Sequence, residues 1–319
     1  MTHSMHVDPA TRGHDRRSTT VRKTSIVLVA TFAFALVATV HAQRGGRGGG
    51  FNADAINTTL PLEGAPLAVP GPYEVKGGPA AGAPGLVAYH PADLSAFPAR
   101  DTMPVVVWGN GGCAINSDRY AGFLTTIASH GFLVMATAAD PGAGRGGRAT
   151  ADNLRGAIAW AETENARAGS PLNGKVALDG IAVMGQSCGG FMSLELGADP
   201  RVDTIGVFNS GIQGDNVDQV KALHGPVLII DGHDRDFASE WARATFAAID
   251  SLPTFYGSRH GAGHTATVDH PGGGEYANVA SSWARWQLKG DKTAAMMFVG
   301  EDCELCTNEN WDTGSKRLQ

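Results

Sequence analysis

The run Val227-Leu228-Ile229-Ile230 stops at Asp231-Gly232 and shows no polar alternation, so a strand made of it must be buried on both faces. Val105–Trp108, Ile181–Met184 and Thr204–Phe208 repeat the pattern. Four or five apolar residues bounded by Gly, Asn or Asp are too few for a core helix and suit an interior strand. Leu86–Tyr89, Phe132–Ala136 and Thr254–Tyr256 are further candidates. Between the strands, Ala121–Ser129, Ala151–Ala166, Phe191–Leu196, Trp241–Asp250 and Tyr276–Leu288 carry apolar residues at helical spacing. Strands with no wet face, alternating with amphipathic helices, predict a doubly wound α/β domain with a mostly parallel sheet covered on both sides. A chain of 319 residues, 43% of them hydrophobic, can bury such a core, and one domain over 51–319 accounts for every segment.

The start of the chain follows different rules. Arg12, Arg16, Arg17, Arg22 and Lys23 precede an uncharged stretch from Ile26 to Val40, and Val40-His41-Ala42 offers small residues for cleavage. Residues 1–42 therefore read as a secretory signal, because the apolar stretch is shorter than the ~20 residues a spanning helix needs. Residues 43–50, rich in Gly and Arg, read as a linker. Without 1–42 the chain holds 20 Lys and Arg against 29 Asp and Glu, a net charge of −9 that disfavours nucleic acid or an anionic membrane as partner. A secreted or periplasmic location follows, with no stable membrane insertion after cleavage.

The chemistry begins where Ile181–Met184 runs into Gly185-Gln186-Ser187-Cys188-Gly189-Gly190 and then a helical stretch. A serine nucleophile presented on a strained strand-to-helix turn needs glycine at both flanks, since a Cβ there would strike adjoining backbone. Ser187 is the candidate nucleophile, and the helix start behind it favours developing negative charge. Its hydroxyl requires a histidine base and a carboxylate, which should follow the serine along the chain in the order Asp, then His. Asp231, Asp234 and Asp236 follow Val227–Ile230; Asp236 is the expected acid, with Asp234 as the competitor. His264, brought back across the strand ends by flexible Gly261 and Gly263, is the expected base, and His260 and His270 are expected as surface loop histidines.

Acyl transfer also needs two backbone N–H donors for the oxyanion. Cys188, directly after the nucleophile, is one; Asn110 or Gly111 in Trp108-Gly109-Asn110-Gly111-Gly112-Cys113 is the other. That loop lacks the lysine and spacing of a phosphate cradle. The four cysteines, Cys113, Cys188, Cys303 and Cys306, permit three pairings in an oxidising compartment. Convergence of the two donors would bring Cys113 close to Cys188; two small buried thiols are the equal alternative. Neither Cys303-x-x-Cys306 nor the set Asp231, His233, Asp234 and His264 has the spacing of a metal site, so no metal and no cofactor are expected.

Taken together, the oxyanion-loop segment, Ile127-Ala128-Ser129-His130-Gly131-Phe132-Leu133-Val134, Met184–Gly190, Leu228–Ala238 and Gly263-His264 resemble the secreted cutinase-like branch of the α/β-hydrolases, which includes polyester hydrolases and dienelactone-hydrolase-like enzymes. The resemblance spans most of 85–290. It implies an exported serine hydrolase that cleaves carboxylic esters of small molecules or polymers without a cofactor. In such enzymes the acid lies four residues after a strand-end glycine, which maps onto Gly232 and Asp236. Asn110 stands where polyester hydrolases usually carry an aromatic residue, and Gly211 where they carry a tryptophan platform. Polyester hydrolysis, amide or peptide cleavage by the same residues, and a silent binding protein are the alternative readings.

Overall fold

Centre and edges of the sheet form for different reasons. In a computed structural model, which describes residues 62, 64–140, 147–214, 216–265 and 267–318, the chain runs β1 (Val75–Ala80), β2 (Ala83–Pro91), β3 (Pro104–Gly109), α1 (Ala121–Ser129), β4 (Leu133–Thr137), α2 (Ala151–Ala166), β5 (Ala177–Gln186) and α3 (Cys188–Leu196). It continues through β6 (Thr204–Phe208), α4 (Asp218–Lys221), β7 (Val227–Asp231), α5 (Ser239–Ala248), β8 (Thr254–Arg259), α6 (Gly274–Lys289), α7 (Lys292–Ala295) and β9 (Trp311–Lys316). The expected signal and linker, 1–50, lie outside the described residues. Among those described, no helix is long and apolar enough to cross a membrane.

Nine strands form one sheet in the order β1-β2-β4-β3-β5-β6-β7-β8-β9. The five pairings from β4-β3 through β7-β8 are parallel, and β1-β2, β2-β4 and β8-β9 are antiparallel. Every residue of β3, β4, β6 and β7 is buried. Successive residues point to opposite faces: Val105 and Val107 join one core with α2 and α3, whereas Val106 and Trp108 join the other with α1 and α6. Each fully buried Val, Ile or Leu contributes about 1.5–3 kcal/mol. That exceeds a strand-propensity range of about 1 kcal/mol, so burial rather than propensity places the central strands.

The edges obey no such signal. β1 contains Gly77, Gly78 and Pro79, and β9 reads Trp311-Asp312-Thr313-Gly314-Ser315-Lys316, so neither stands out as apolar and neither was expected. Both gain order from a single neighbour. A proline and a lysine on exposed edges also oppose pairing with another chain. The segment after α7 is more than a tail: Phe298, Cys303, Leu305 and Trp311 are buried in the α6-side core, and β9 completes the sheet.

Helix limits follow local chemistry. α1 and α2 have the expected limits, and the Thr150 N–H donates to Asn153 Oδ1 at 2.9 Å at the start of α2. α3 starts at Cys188, three residues earlier than its apolar period, because its first turn is the glycine pair 189–190. Trp283 of α6 is fully buried and its Nε1 donates to Thr204 Oγ1 at 2.8 Å; Trp286 packs edge-on beside it.

Candidate active site

β5 delivers Gln186 to the carboxyl edge of the sheet and the chain reverses at once into α3. The residue at the reversal, Ser187, holds φ 55° and ψ −119°, a conformation that costs of order 1–3 kcal/mol for a residue with a side chain. Its N–H donates to Phe208 O at 2.8 Å. The turn closes only because glycine flanks it: a Cβ on Gly185 would overlap the Gly189 carbonyl, and a Cβ on Gly189 would overlap the Gly109 carbonyl. The steric reading of this pentapeptide extends to a third glycine, in β3, where a Cβ would lie 2.8 Å from Gly189 Cα.

Two loops on the same edge face the Ser187 hydroxyl. His264 Nε2 lies 2.9 Å from Ser187 Oγ, and His264 Nδ1 lies 2.7 Å from Asp236 Oδ1. Asp236 is buried, which pushes its carboxyl pKa up. The hydrogen bonds from His264, Asn209 Nδ2 (2.8 Å), Ala238 N–H (2.9 Å) and Gly232 N–H (3.1 Å) outweigh burial and hold the pKa below its ordinary value. Asp236 is thus an anion fixed at both oxygens. Asp234 points to solvent beside His233 and does not approach His264.

Asp231 is buried completely but serves a different purpose. It accepts from Ser258 Oγ (2.6 Å), His233 N–H (2.7 Å), Tyr256 Oη (2.8 Å) and Ser239 Oγ (3.0 Å), tying β7 to β8 and α5. Burial and the charge of Asp231 push the Tyr256 phenol up to about 12. The set Asp231, His233, Asp234 and His264 is therefore split among three environments.

The Gly109–Cys113 loop reaches the elbow from β3. The Gly111 N–H is engaged, donating to Tyr120 Oη at 2.9 Å, which corrects its standing as an oxyanion donor and leaves Asn110 as the loop candidate. The Asn110 side chain is buried and donates to Ala114 O (2.9 Å) and Thr137 Oγ1 (3.0 Å), so it shapes its own loop. Tyr120 Oη donates to Gln186 Oε1 at 2.8 Å, and Gln186 Nε2 donates to His264 O at 2.8 Å. A single relay thereby joins the loop, the elbow and the histidine. Cys113 and Cys188 form a disulfide with Cα atoms 5.2 Å apart, and Cys303 and Cys306 form a second. The bridge at Cys188 couples the residue after Ser187 to the Asn110 loop.

Two residues at this edge carry no motif. Asn209, at φ 48° just after β6, donates to both Asp236 Oδ2 and Gly263 O (3.1 Å) and so positions the acid and the base loop together. A polar Asn209-Ser210 pair at the carboxyl end of a buried strand was the available signal. Phe237 is 67% exposed, and its ring lies 3.9 Å from the His264 ring, with Trp241 edge-on at 5.8 Å. His270, expected on the surface, is buried instead, because its N–H caps the turn at Thr267 O and Gly274 packs on its ring. His260 is only partly exposed and faces Asp312.

No protein-family model matches this chain, and no curated protein matches it either.

Proposed function

We propose that this chain is an exported serine hydrolase of the α/β-hydrolase fold that cleaves carboxylic esters. The observation that carries the reading is the continuous relay Ser187 Oγ–His264 Nε2 at 2.9 Å and His264 Nδ1–Asp236 Oδ1 at 2.7 Å, with the serine in a strained turn between β5 and α3. The sheet order, with β2 antiparallel and β3 crossing over β4, supports the fold assignment.

In this mechanism His264 Nε2 takes the Ser187 proton as Oγ attacks the ester carbonyl carbon. Asp236 accepts Nδ1–H and stabilises the imidazolium. The Asn110 and Cys188 amides receive the oxyanion, each such donor accounting for about 10²–10³ in rate. The imidazolium then protonates the departing alkoxide, and water, activated by the same histidine, releases the acid from Ser187. These side chains supply every proton transfer.

The resemblance to polyester hydrolases weakens at Gly211. A Cβ there would overlap the Trp241 carbonyl, so no platform can occupy that position. An aromatic surface stands beside His264 nonetheless, supplied by Phe237 from the loop that leads into α5. It supports an ester with an apolar or aromatic portion. Two disulfides fit an oxidising compartment.

The test is fluorophosphonate labelling and p-nitrophenyl ester turnover of wild type and Ser187→Ala. Wild type is expected to label and turn over, and the variant to lose label and about 10⁴–10⁶ in kcat. A wild type that does neither ends the reading.

A further inference from the structure

We infer that Phe191, Trp241 and Phe237 form an apolar face that binds the acyl portion of the substrate, so that esters of long apolar acids are preferred to acetates. The inference rests on the proposed ester hydrolysis and names the part of the substrate that the site selects. It puts the selective surface on α3, α5 and the loop before α5, not at the platform position that Gly211 leaves empty.

The three rings make an unbroken row that starts at the base. Phe237 lies across the His264 ring with centroids 3.9 Å apart and a tilt of 32°. Trp241 meets Phe237 edge to face at 5.8 Å, and Phe191 lies 5.9 Å from Trp241. Trp241 and Phe191 are half-buried, and Phe237 is the one aromatic among the large exposed hydrophobic side chains of the described residues. Burying such rings would favour the folded state. A row of them left open beside a nucleophile marks a surface kept for a ligand.

The row is fixed before any substrate arrives. A Cβ on Gly211 would lie 2.2 Å from Trp241 O, so α5 seats directly on the segment after β6. Thr245 Oγ1 fastens that contact, donating to Trp241 O at 2.7 Å and accepting from the Ile212 N–H at 2.8 Å. Glycine at 211 therefore removes one aromatic position and admits another, supplied by α5. On the α3 side, Gln219 Nε2 donates to Phe191 O at 3.3 Å. A preformed surface loses little freedom when a chain settles on it.

Helix geometry assigns the row to the acyl group. The Phe191 N–H donates to Ser187 O at 3.4 Å, so Phe191 stands one turn along α3 from the nucleophile, with its Cβ tilted back toward it. The acyl carbon is bonded to Ser187 Oγ in the intermediate, whereas the alkoxide leaves once His264 has protonated it. A row that begins at His264 and returns to the first turn of α3 flanks the portion that stays. Contacts with that portion act in acylation and deacylation alike.

The experiment measures kcat/KM of the full chain on p-nitrophenyl acetate, butyrate and octanoate. Octanoate is expected to exceed acetate by about tenfold or more, each fully buried methylene being worth about fourfold. Phe237→Ala should cut the octanoate-to-acetate ratio about fivefold to tenfold. Phe191→Ala should cut it as well but spare the butyrate-to-acetate ratio, because a short chain ends before the far ring. Ratios within one variant do not depend on how much of it is folded. Methyl octanoate and heptyl acetate, isomers with the long chain on opposite sides of the ester, identify the side: Phe237→Ala should slow the octanoate more. A loss confined to heptyl acetate would place the row on the alcohol side and overturn the assignment. So would a flat acyl series in wild type, or a Phe237→Ala loss equal for acetate and octanoate, which would make Phe237 a support for His264 alone. A wild type that takes the fluorophosphonate label and cleaves acetate, yet shows a flat series, keeps the proposed function and loses this inference; one that does not label loses both.

Discussion

The turn that carries Ser187 and the loops that carry Asp236 and His264 sit on one edge of the sheet but are held by different forces. The turn is fixed by exclusion: Gly109, Gly185 and Gly189 stack backbone on backbone with no room for a methyl group. The loops are fixed by attraction, through hydrogen bonds from Asn209, which lies 27 residues from Asp236 and 54 from Gly263. Exclusion tolerates no substitution, whereas a hydrogen-bonded loop can lose a partner and keep its fold. Perturbing the two regions should therefore give failures of different kinds.

The largest effect is expected at the turn. Gly189→Ala places a Cβ against the Gly109 carbonyl, which is backbone and cannot rotate away; a loss of about 3 kcal/mol or more should appear in urea unfolding, with turnover abolished. On the loop side, Asp236→Asn keeps the volume but leaves His264 without an anion, and kcat should fall about 10⁴-fold while urea unfolding shifts little. Asn209→Ala should be milder. It frees Asp236 Oδ2 and Gly263 O, and a misplaced acid lowers kcat by roughly 10²-fold or less with KM nearly unchanged. A kcat loss as large as that of Asp236→Asn would show that attraction is as unforgiving as exclusion.

The smallest effect is on pH dependence. Asp236 has its folded-state pKa depressed, so its contribution to stability is present above the unfolded carboxylate value near 4 and is lost as pH falls below it. The thermal midpoint of wild type should therefore drop relative to Asp236→Asn below about pH 4. Parallel curves for the two proteins down to pH 3 would mean that burial cancels the hydrogen bonds.

The same contrast explains what could be read from the chain. Exclusion leaves a local trace, since a required glycine sits at a fixed offset from Ser187, and central strands such as β7 announce burial on both faces by their composition. Ser187, Asp236 and His264 were singled out from such local cues, and the folded chain brings them together. Asn209, Tyr120 and the Gln186 side chain act across 66 to 78 residues in the relay and 27 to 54 at Asn209, and leave no periodic mark. Gly111 was offered as a donor because spacing cannot show that Tyr120 already occupies its N–H. β1 and β9 leave no such trace because an edge strand answers to one neighbour, and His270 reads as a surface residue because Pro271, Gly272 and Gly273 after it mimic a loop.

The Cys113–Cys188 bridge joins residues 75 apart in the chain, whereas Cys303–Cys306 joins residues 3 apart. Closing a loop that long removes about 4.5 kcal/mol of chain entropy from the unfolded ensemble, if strain in the folded state is set aside. Such a sum is a sizeable share of the 5–15 kcal/mol by which a domain typically outweighs its unfolded chain. The covalent link that aligns the oxyanion loop with the nucleophile is thus also a restraint on the unfolded chain, and a reductant would draw on both at once.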